Sequence, residues 1–140
     1  MLVTSRGRYA LRVMIDLAEH RNGEYVAMKE VARRQDISLK YLERILPALV
    51  KAKMVEGVHG KGGGYRLTRK PKEYTVGEIL RLTEGDLAPV GCLECKGEDC
   101  PLKPTCRTLP MWEKLDTMVN DYFDSITIDD LMYKEGVAFI

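Results

Sequence analysis

Residues 38–67 read SLKYLERILPALVKAKMVEGVHGKGGGYRL, and this stretch decides the fold. Ser38 is a good N-cap, because its hydroxyl can accept an amide of the first helical turn. Leu39, Leu42, Leu46 and Leu49 recur at i, i+3, i+7 and i+10, which predicts a helix from Leu39 towards Lys51 with one buried leucine stripe. Lys40, Tyr41, Glu43, Arg44 and Lys51 fall off that stripe. Pro47 lacks a backbone donor and crowds the preceding turn, so a kink or a loosened turn is expected there. Residues 54–59 then read as a strand, 60–64 as a glycine-rich turn and 65–67 as the returning strand.

Upstream, residues 5–21 carry Ala10, Val13, Met14, Leu17 and Ala18 at helical spacing, with Arg8, Arg12, Asp16 and Glu19 between them. Asn22 and Gly23 end this helix, Tyr25 and Val26 read as a short extended piece, and residues 28–34 form a second short helix. Residues 35–37 are a tight connection to the helix that starts after Ser38. Two helices, a third presented helix and a glycine-tipped hairpin make a winged helix-turn-helix, so the fold class is mainly α with a small β wing.

Downstream, Thr75 and Glu78 have the Ser/Thr-x-x-Glu form of a capping box, which starts a helix through Ile79, Leu80 and Leu82. Residues 85–107 are rich in Gly, Pro and Cys and read as a loop. After Pro110 the positions Met111, Leu115, Met118, Val119 and Tyr122 repeat at helical spacing, and Trp112 and Phe123 widen the stripe beyond what packing on a single side requires. Residues 127–133 read as a last short helix capped by Thr127, with Asp129 and Asp130 favourable in its first turn. The organisation expected is a DNA-binding domain over 1–84, a cysteine-rich loop over 85–107, and a long helix with a C-terminal tail over 108–140.

The 140 residues hold 22 Lys+Arg against 21 Asp+Glu, with 45% hydrophobic and 31% charged residues, which excludes a disordered chain, a collagen-like repeat and a strongly basic tail. Charged residues punctuate every apolar run, so no membrane span is expected, and the first residues lack an apolar signal core. The cytoplasm is the expected compartment. The balanced total conceals an asymmetry: residues 1–90 hold 17 basic and 11 acidic side chains, residues 91–140 hold 5 and 10. The first part can face a polyanion and the second is unsuited to it.

On the presented helix, Ser38, Lys40, Tyr41, Glu43 and Arg44 offer donors, acceptors and an aromatic edge that a major groove can distinguish. Arg44 suits guanine. Glu43 can accept from a cytosine amino group and repels phosphate, which makes it a discriminator rather than a source of affinity. A solvated charged face would look the same on such a helix alone; the adjoining wing favours DNA. There His59 and Lys61 flank glycines that allow close backbone approach to a minor groove or phosphate ridge. A nucleotide-binding phosphate loop fits poorly, because a strand follows where a helix N-terminus is needed.

Cys92, Cys95, Cys100 and Cys106 are separated by two, four and five residues within one loop. Clustered thiols in a reducing compartment point to metal, and soft thiolates suit an iron-sulfur cluster or zinc. The five-residue spacing of the second pair, Cys100 and Cys106, matches a simple zinc knuckle poorly. His20 and His59 lie outside the loop, which leaves no local base for nucleophilic chemistry, and no catalytic acid-base constellation is visible, so an enzyme is not expected.

The segments LVTSRGRYA at 2–10, ISLKYLE at 37–43, GKGGGY at 60–65 and SITIDDL at 125–131 together resemble the iron-sulfur cluster regulators of the IscR type and their winged-helix relatives. The resemblance covers nearly the whole chain. It implies a homodimeric transcription factor whose long C-terminal helix forms the dimer interface, reading a roughly palindromic operator on double-stranded DNA. It also implies a 2Fe-2S cluster whose occupancy controls operator choice, at genes of iron-sulfur cluster assembly. Ser38, Tyr41 and Glu43 stand where the family places base-reading or discriminating residues, and His59 stands at a wing position often occupied by Arg. The family pattern has three Cys separated by five and five residues and a His three residues after the last. Here Leu109 stands three residues after Cys106, so that His is absent. Cys92, Cys100 and Cys106 match the three by position if the first gap is longer, and Cys95 is either the replacement fourth ligand or an alternative first one. Two alternatives stand beside this expectation: a regulator of the same family sensing nitric oxide or redox stress, and a zinc-stabilised module that binds protein through its C-terminal helix.

Overall fold

The computed structural model describes residues 3–94 and 100–136. Helix α1 (Ser5–Glu19) is the central element, and α2 (Met28–Gln35) and α3 (Leu39–Lys51) follow it as the helix-turn-helix. Asp36 closes α2 in the left-handed conformation, φ 52°, which turns the chain within three residues. Ser38 caps α3 as expected, its hydroxyl accepting the Tyr41 amide at 3.1 Å. The buried face of α3 is Leu42, Ile45, Leu46 and Leu49. Leu39 is only half-buried, so the stripe is centred on Ile45 rather than spread along four leucines. The helix continues through Pro47 to Lys51. Pro47 lies on the exposed side, where the Glu43 carbonyl that loses its amide donor has solvent as an alternative.

The wing is an antiparallel hairpin of β1 (Val55–Val58) and β2 (Gly64–Leu67), with Val55 opposite Leu67 and Val58 opposite Gly64. It is tied to the α1–α2 connection by a bridge in which Val26 N–H donates to the Tyr65 carbonyl at 2.8 Å and Tyr65 N–H to the Val26 carbonyl at 2.9 Å. This close approach requires glycine at 64, where a Cβ would lie 2.1 Å from the Val26 carbonyl oxygen.

Helix α4 (Val76–Glu84) packs on α1, and α5 (Leu109–Ser125) packs on α4. Thr75 caps α4 by accepting the Glu78 amide at 3.0 Å, but the reciprocal half of the expected box is absent: the Glu78 carboxylate accepts from Arg69 at 2.8 Å instead. Within the loop from Gly85 to Arg107, residues Gly91–Leu93 and Lys103–Thr105 form single 3₁₀ turns. The C-terminal α6 (Ile128–Leu131) carries a complete capping box between Thr127 and Asp130. This tail folds back on the first part of the chain. Val76 N–H donates to the Ile126 carbonyl at 2.8 Å, Ile128 N–H to the Tyr74 carbonyl at 3.0 Å, and Ile128 is fully buried beside α1.

Two apolar clusters result. The larger contains Ala10, Val13, Met14 and Leu17 of α1 with the buried face of α3 and Tyr74. The smaller joins Val76, Leu80, Leu87 and Ile126, with Val3, Leu11, Phe123 and Leu131 against it. Asp16, which lies between the apolar positions of α1, is nevertheless fully buried and accepts from Arg34 and Gln35 of α2. No helix among the described residues is long and apolar enough to cross a membrane.

Candidate nucleic-acid interface and thiol loop

The exposed edge of α3 carries Lys40, Glu43 and Arg44 one turn apart, continued by Pro47 and Lys51. Among the described residues the side chains of Lys40, Glu43 and Arg44 make no ion pair or hydrogen bond within the chain. Three long charged groups thus stand free on one face, which leaves their hydrogen-bonding capacity for an external partner. Ser38 begins the same edge, with its lone pair engaged in the cap.

Tyr41 is placed differently from its neighbours. It is half-buried and meets Tyr9 of α1 edge to face, with ring centroids 5.2 Å apart and planes at 76°. The guanidinium of Arg12 lies 5.4 Å from the Tyr9 ring and that of Arg8 lies 6.0 Å from it. Tyr9, Arg8 and Arg12 therefore border the presented helix, a role that their place in α1 periodicity does not reveal. Such an edge-to-face pair contributes about 0.5–1.5 kcal/mol beyond its buried area and fixes how α3 sits on α1.

At the wing tip Gly60 and Gly62 take positive φ of 96° and 78°, and Gly63 N–H closes the turn on the Gly60 carbonyl at 3.0 Å. His59 and Lys61 are exposed on either side of Gly60. The base of the wing is braced by Arg66, whose Nε donates to Glu56 at 2.6 Å while its guanidinium lies 4.4 Å from the Tyr25 ring. The structure thus packs α3 against the first strand of the wing, so that the presented helix and the hairpin belong to one unit.

Cys92, Cys100 and Cys106 are free thiols, each half-buried, on the connection between α4 and α5. Cys95 lies outside the described residues. Cys106 precedes the first turn of α5, and its Sγ is 3.4 Å from Thr108 Oγ1. The Thr108 hydroxyl first, then the amides of Thr108 and Leu109, hold this thiol below its ordinary pKa by hydrogen bonding to the anion. Among the described residues no three Cys, His, Asp or Glu side chains gather into a metal-sized group.

Residues 3–134 match the Rrf2 family, described as iron-dependent transcriptional regulators. The HTH-type transcriptional regulator IscR of Aliivibrio salmonicida is 38% identical over 138 residues, spanning 98% of this chain and 80% of that protein. IscR of Vibrio cholerae is 35% identical over 138 residues, spanning 98% and 78%. Among solved structures, CymR, the global cysteine regulator of B. subtilis, superposes with a TM-score of 0.76 at 32% identity, covering 94% of this chain and 95% of that one. T. potens IscR superposes with a TM-score of 0.70 at 34% identity, covering 94% and 85%. These relatives are regulators of transcription and not enzymes, in keeping with a molecule that offers a charged presented helix beside a glycine-tipped wing. The chain belongs to the Rrf2 family and is a DNA-binding transcriptional regulator of the IscR kind.

Proposed function

We propose that the protein is a homodimer that reads a roughly palindromic operator on double-stranded DNA and reports the state of a 2Fe-2S cluster held by Cys92, Cys95, Cys100 and Cys106, acting on genes of iron-sulfur cluster assembly. The observation that carries the sensing half is the thiol loop. Three half-buried thiols that form no disulfide lie on the connection between the DNA-binding unit and α5, one of them biased towards thiolate. The fit to an iron-sulfur cluster is one of donor chemistry: thiolates are the ordinary ligands of such clusters, and hydrogen bonds from Thr108 and Leu109 favour that form at Cys106. A bound cluster would supply a fixed charge and several bonds to a loop whose described residues form only short 3₁₀ turns. The loop's own contribution is to present the thiols and to transmit their order to α4 and α5, which flank it. A shift in the population of operator-competent dimers follows from that ordering.

On the DNA side, Ser38, Lys40, Tyr41, Glu43 and Arg44 form the major-groove element, with Tyr41 acting through both its exposed edge and its seat on Tyr9, while His59 and Lys61 approach the minor groove or the phosphates. Glu43→Ala is expected to broaden the set of sequences bound, because it removes a group that penalises wrong bases. Lys61→Ala is expected to weaken all sequences alike and to reduce the log-log salt slope by about one. Binding titrations over a panel of duplexes at several salt concentrations check both; equal loss on every duplex from both changes refutes the discriminating role of Glu43.

The test of the cluster is its colour and composition. Protein purified without oxygen is expected to be brown, with broad visible absorption and matching iron and sulfide. Cys100→Ala and Cys106→Ala are each expected to abolish the cluster. Cys92→Ala and Cys95→Ala are each expected to retain a weaker or spectrally shifted one, and the double variant to lose it. Full retention after Cys95→Ala assigns three-cysteine ligation with an outside donor. A wild-type protein that takes up only zinc when offered iron and sulfide overturns the sensing proposal.

A further inference from the structure

Helix α1 is not capped by its own N-cap residue. Thr4 has the extended backbone of an N-cap, φ −77° and ψ 174°, yet its side chain accepts nothing from the first turn. Its hydroxyl instead donates to Glu84 Oε1 at 2.7 Å, and the same oxygen accepts the Thr4 amide at 2.9 Å and the Gly7 amide at 3.1 Å. Gly7 is the third residue of α1, so its N–H has no acceptor within the helix. One carboxylate from the far end of the DNA-binding unit therefore satisfies the open end of α1 and places negative charge at the positive pole of that helix.

The position of Glu84 gives this contact its meaning. It is the last residue of α4, and Gly85, at φ +86°, turns the chain directly into the thiol loop. Leu87 is buried in the same small cluster that receives Val3 and Leu11, so the loop entrance and the start of α1 share one anchorage. Less than one turn beyond Gly7, α1 presents Tyr9, whose ring supports Tyr41 of α3. A helix is stiff over this distance, so the placement of the Glu84 carboxylate is passed along α1 to the presented helix.

We propose that Glu84 is a positioning residue that sets α3 for DNA through α1, and that it transmits the state of the thiol loop to α3 by the same contact. The transmitting part rests on the reading of the thiol loop as the sensing element; the positioning part rests on DNA binding alone.

Gly7 provides a second handle. A Cβ at Gly7 would lie 2.4 Å from Glu84 Oε1 and 3.1 Å from Leu80 Cδ2. The carboxylate is the end of a flexible side chain and gives way, so Gly7→Ala evicts Glu84 while improving the helix propensity of α1. The experiment uses the full chain, metal-free and loaded with iron and sulfide, with Glu84→Gln, Glu84→Ala and Gly7→Ala variants. The probe is a duplex selected by the wild-type protein from a randomised pool, titrated by fluorescence anisotropy alongside amide hydrogen exchange. In metal-free protein, Glu84→Ala and Gly7→Ala are both expected to bind roughly tenfold more weakly, the ordinary scale of coupling between sites. Exchange is expected to quicken at residues 38–44 as well as at 4–7. The ratio of loaded to metal-free affinity is expected to fall towards one in both, with iron content unchanged. Glu84→Gln, which keeps an acceptor oxygen without the charge, is expected to lie between them and the wild type. Wild-type affinities and ratios in Glu84→Ala and Gly7→Ala, with faster exchange confined to residues 4–7, overturn the proposal and leave Glu84 a cap alone. Should Glu84→Ala unfold, Gly7→Ala decides. A wild-type protein whose DNA affinity is indifferent to loading refutes the sensing role of the loop, and with it transmission by Glu84; the metal-free affinities then decide its positioning role.

Discussion

Leu115→Glu is expected to turn the proposed dimer into a monomer at micromolar concentration and to abolish binding to a two-half-site operator. Helix α5 offers Met111, Leu115, Met118 and Tyr122 to solvent, 54%, 37%, 57% and 57% exposed in the single chain. Their spacing of four, three and four residues is the pattern that a seam between two helices packed side by side requires. The opposite face of α5 is already occupied. Phe123 enters the smaller apolar cluster, Arg81 donates to Asn120 at 2.9 Å, and Arg81 also pairs with Asp124. The apolar seam is thus left over after α5 has packed on α4. Burying such side chains contributes about 1.5–3 kcal/mol each, and two-fold symmetry counts every one twice. Leu115→Glu places a carboxylate among Met111, Met118 and Tyr122, so closing the proposed seam would bury a charge beside apolar neighbours. Sedimentation equilibrium reads the outcome, and a dimer that survives the change with unaltered stability removes α5 as the interface.

Asp16→Ala is expected to destabilise the fold by about 3 kcal/mol, the largest loss anticipated for a single polar side chain here. The carboxylate is fully buried. It receives Arg34 through two parallel bonds, Nε at 3.0 Å and Nη2 at 2.8 Å, and Gln35 Nε2 at 2.9 Å. The Arg34 side chain is 22% exposed, so solvent reaches it too little to replace the partner. Arg12 Nε completes the junction by donating to Gln35 Oε1 at 3.2 Å. Alanine removes the acceptor, leaving the Arg34 guanidinium only its longer contact with the exposed Glu30 carboxylate at 3.7 Å and the Gln35 amide without its partner, which is costlier than never having had the pair. For a chain of this size the loss corresponds to a fall in Tm of roughly 10 °C. Asp16→Asn, which retains one acceptor oxygen, is expected to lose about half as much. Urea unfolding of the two variants, and of Arg34→Ala with the double variant, reads the coupling; additive losses in that cycle refute a shared interaction.

Local signals made much of the architecture legible. Ser38, Thr75 and Thr127 each mark a helix start by the chemistry of a single hydroxyl, and the apolar spacing of Ala10, Val13, Met14 and Leu17 describes a face that is buried in full. The features that escaped were long-range. Asp16 looks like an ordinary polar position of an amphipathic helix until Arg34 of the next helix reaches it. Glu84 looks like an ordinary helix end until Thr4 is brought beside it. Tyr41 falls off the leucine stripe by periodicity, yet Tyr9 covers half of it. Likewise Ile126 and Ile128 belong to a tail by sequence and to the core by structure, because the backbone of residues 74–76 pairs with them. In the thiol loop the clustering of the cysteines is legible and their geometry is not, since no periodic pattern fixes the path of such a loop.

The bridge between Val26 and Tyr65 bears on the thermodynamics of DNA capture. A free hairpin loses much of its motional freedom when it enters a groove, and that loss subtracts from affinity. Here the base of the wing is immobilised during folding by two backbone hydrogen bonds and the Arg66 brace, so in the proposed complex the freedom left to lose is that of residues 59–63, outside the paired strands. The wing therefore behaves as a stiff pointer with a soft tip. Heat-capacity and entropy changes on the proposed engagement are expected to be confined to a handful of residues, with the groove adapting to the wing more than the wing to the groove.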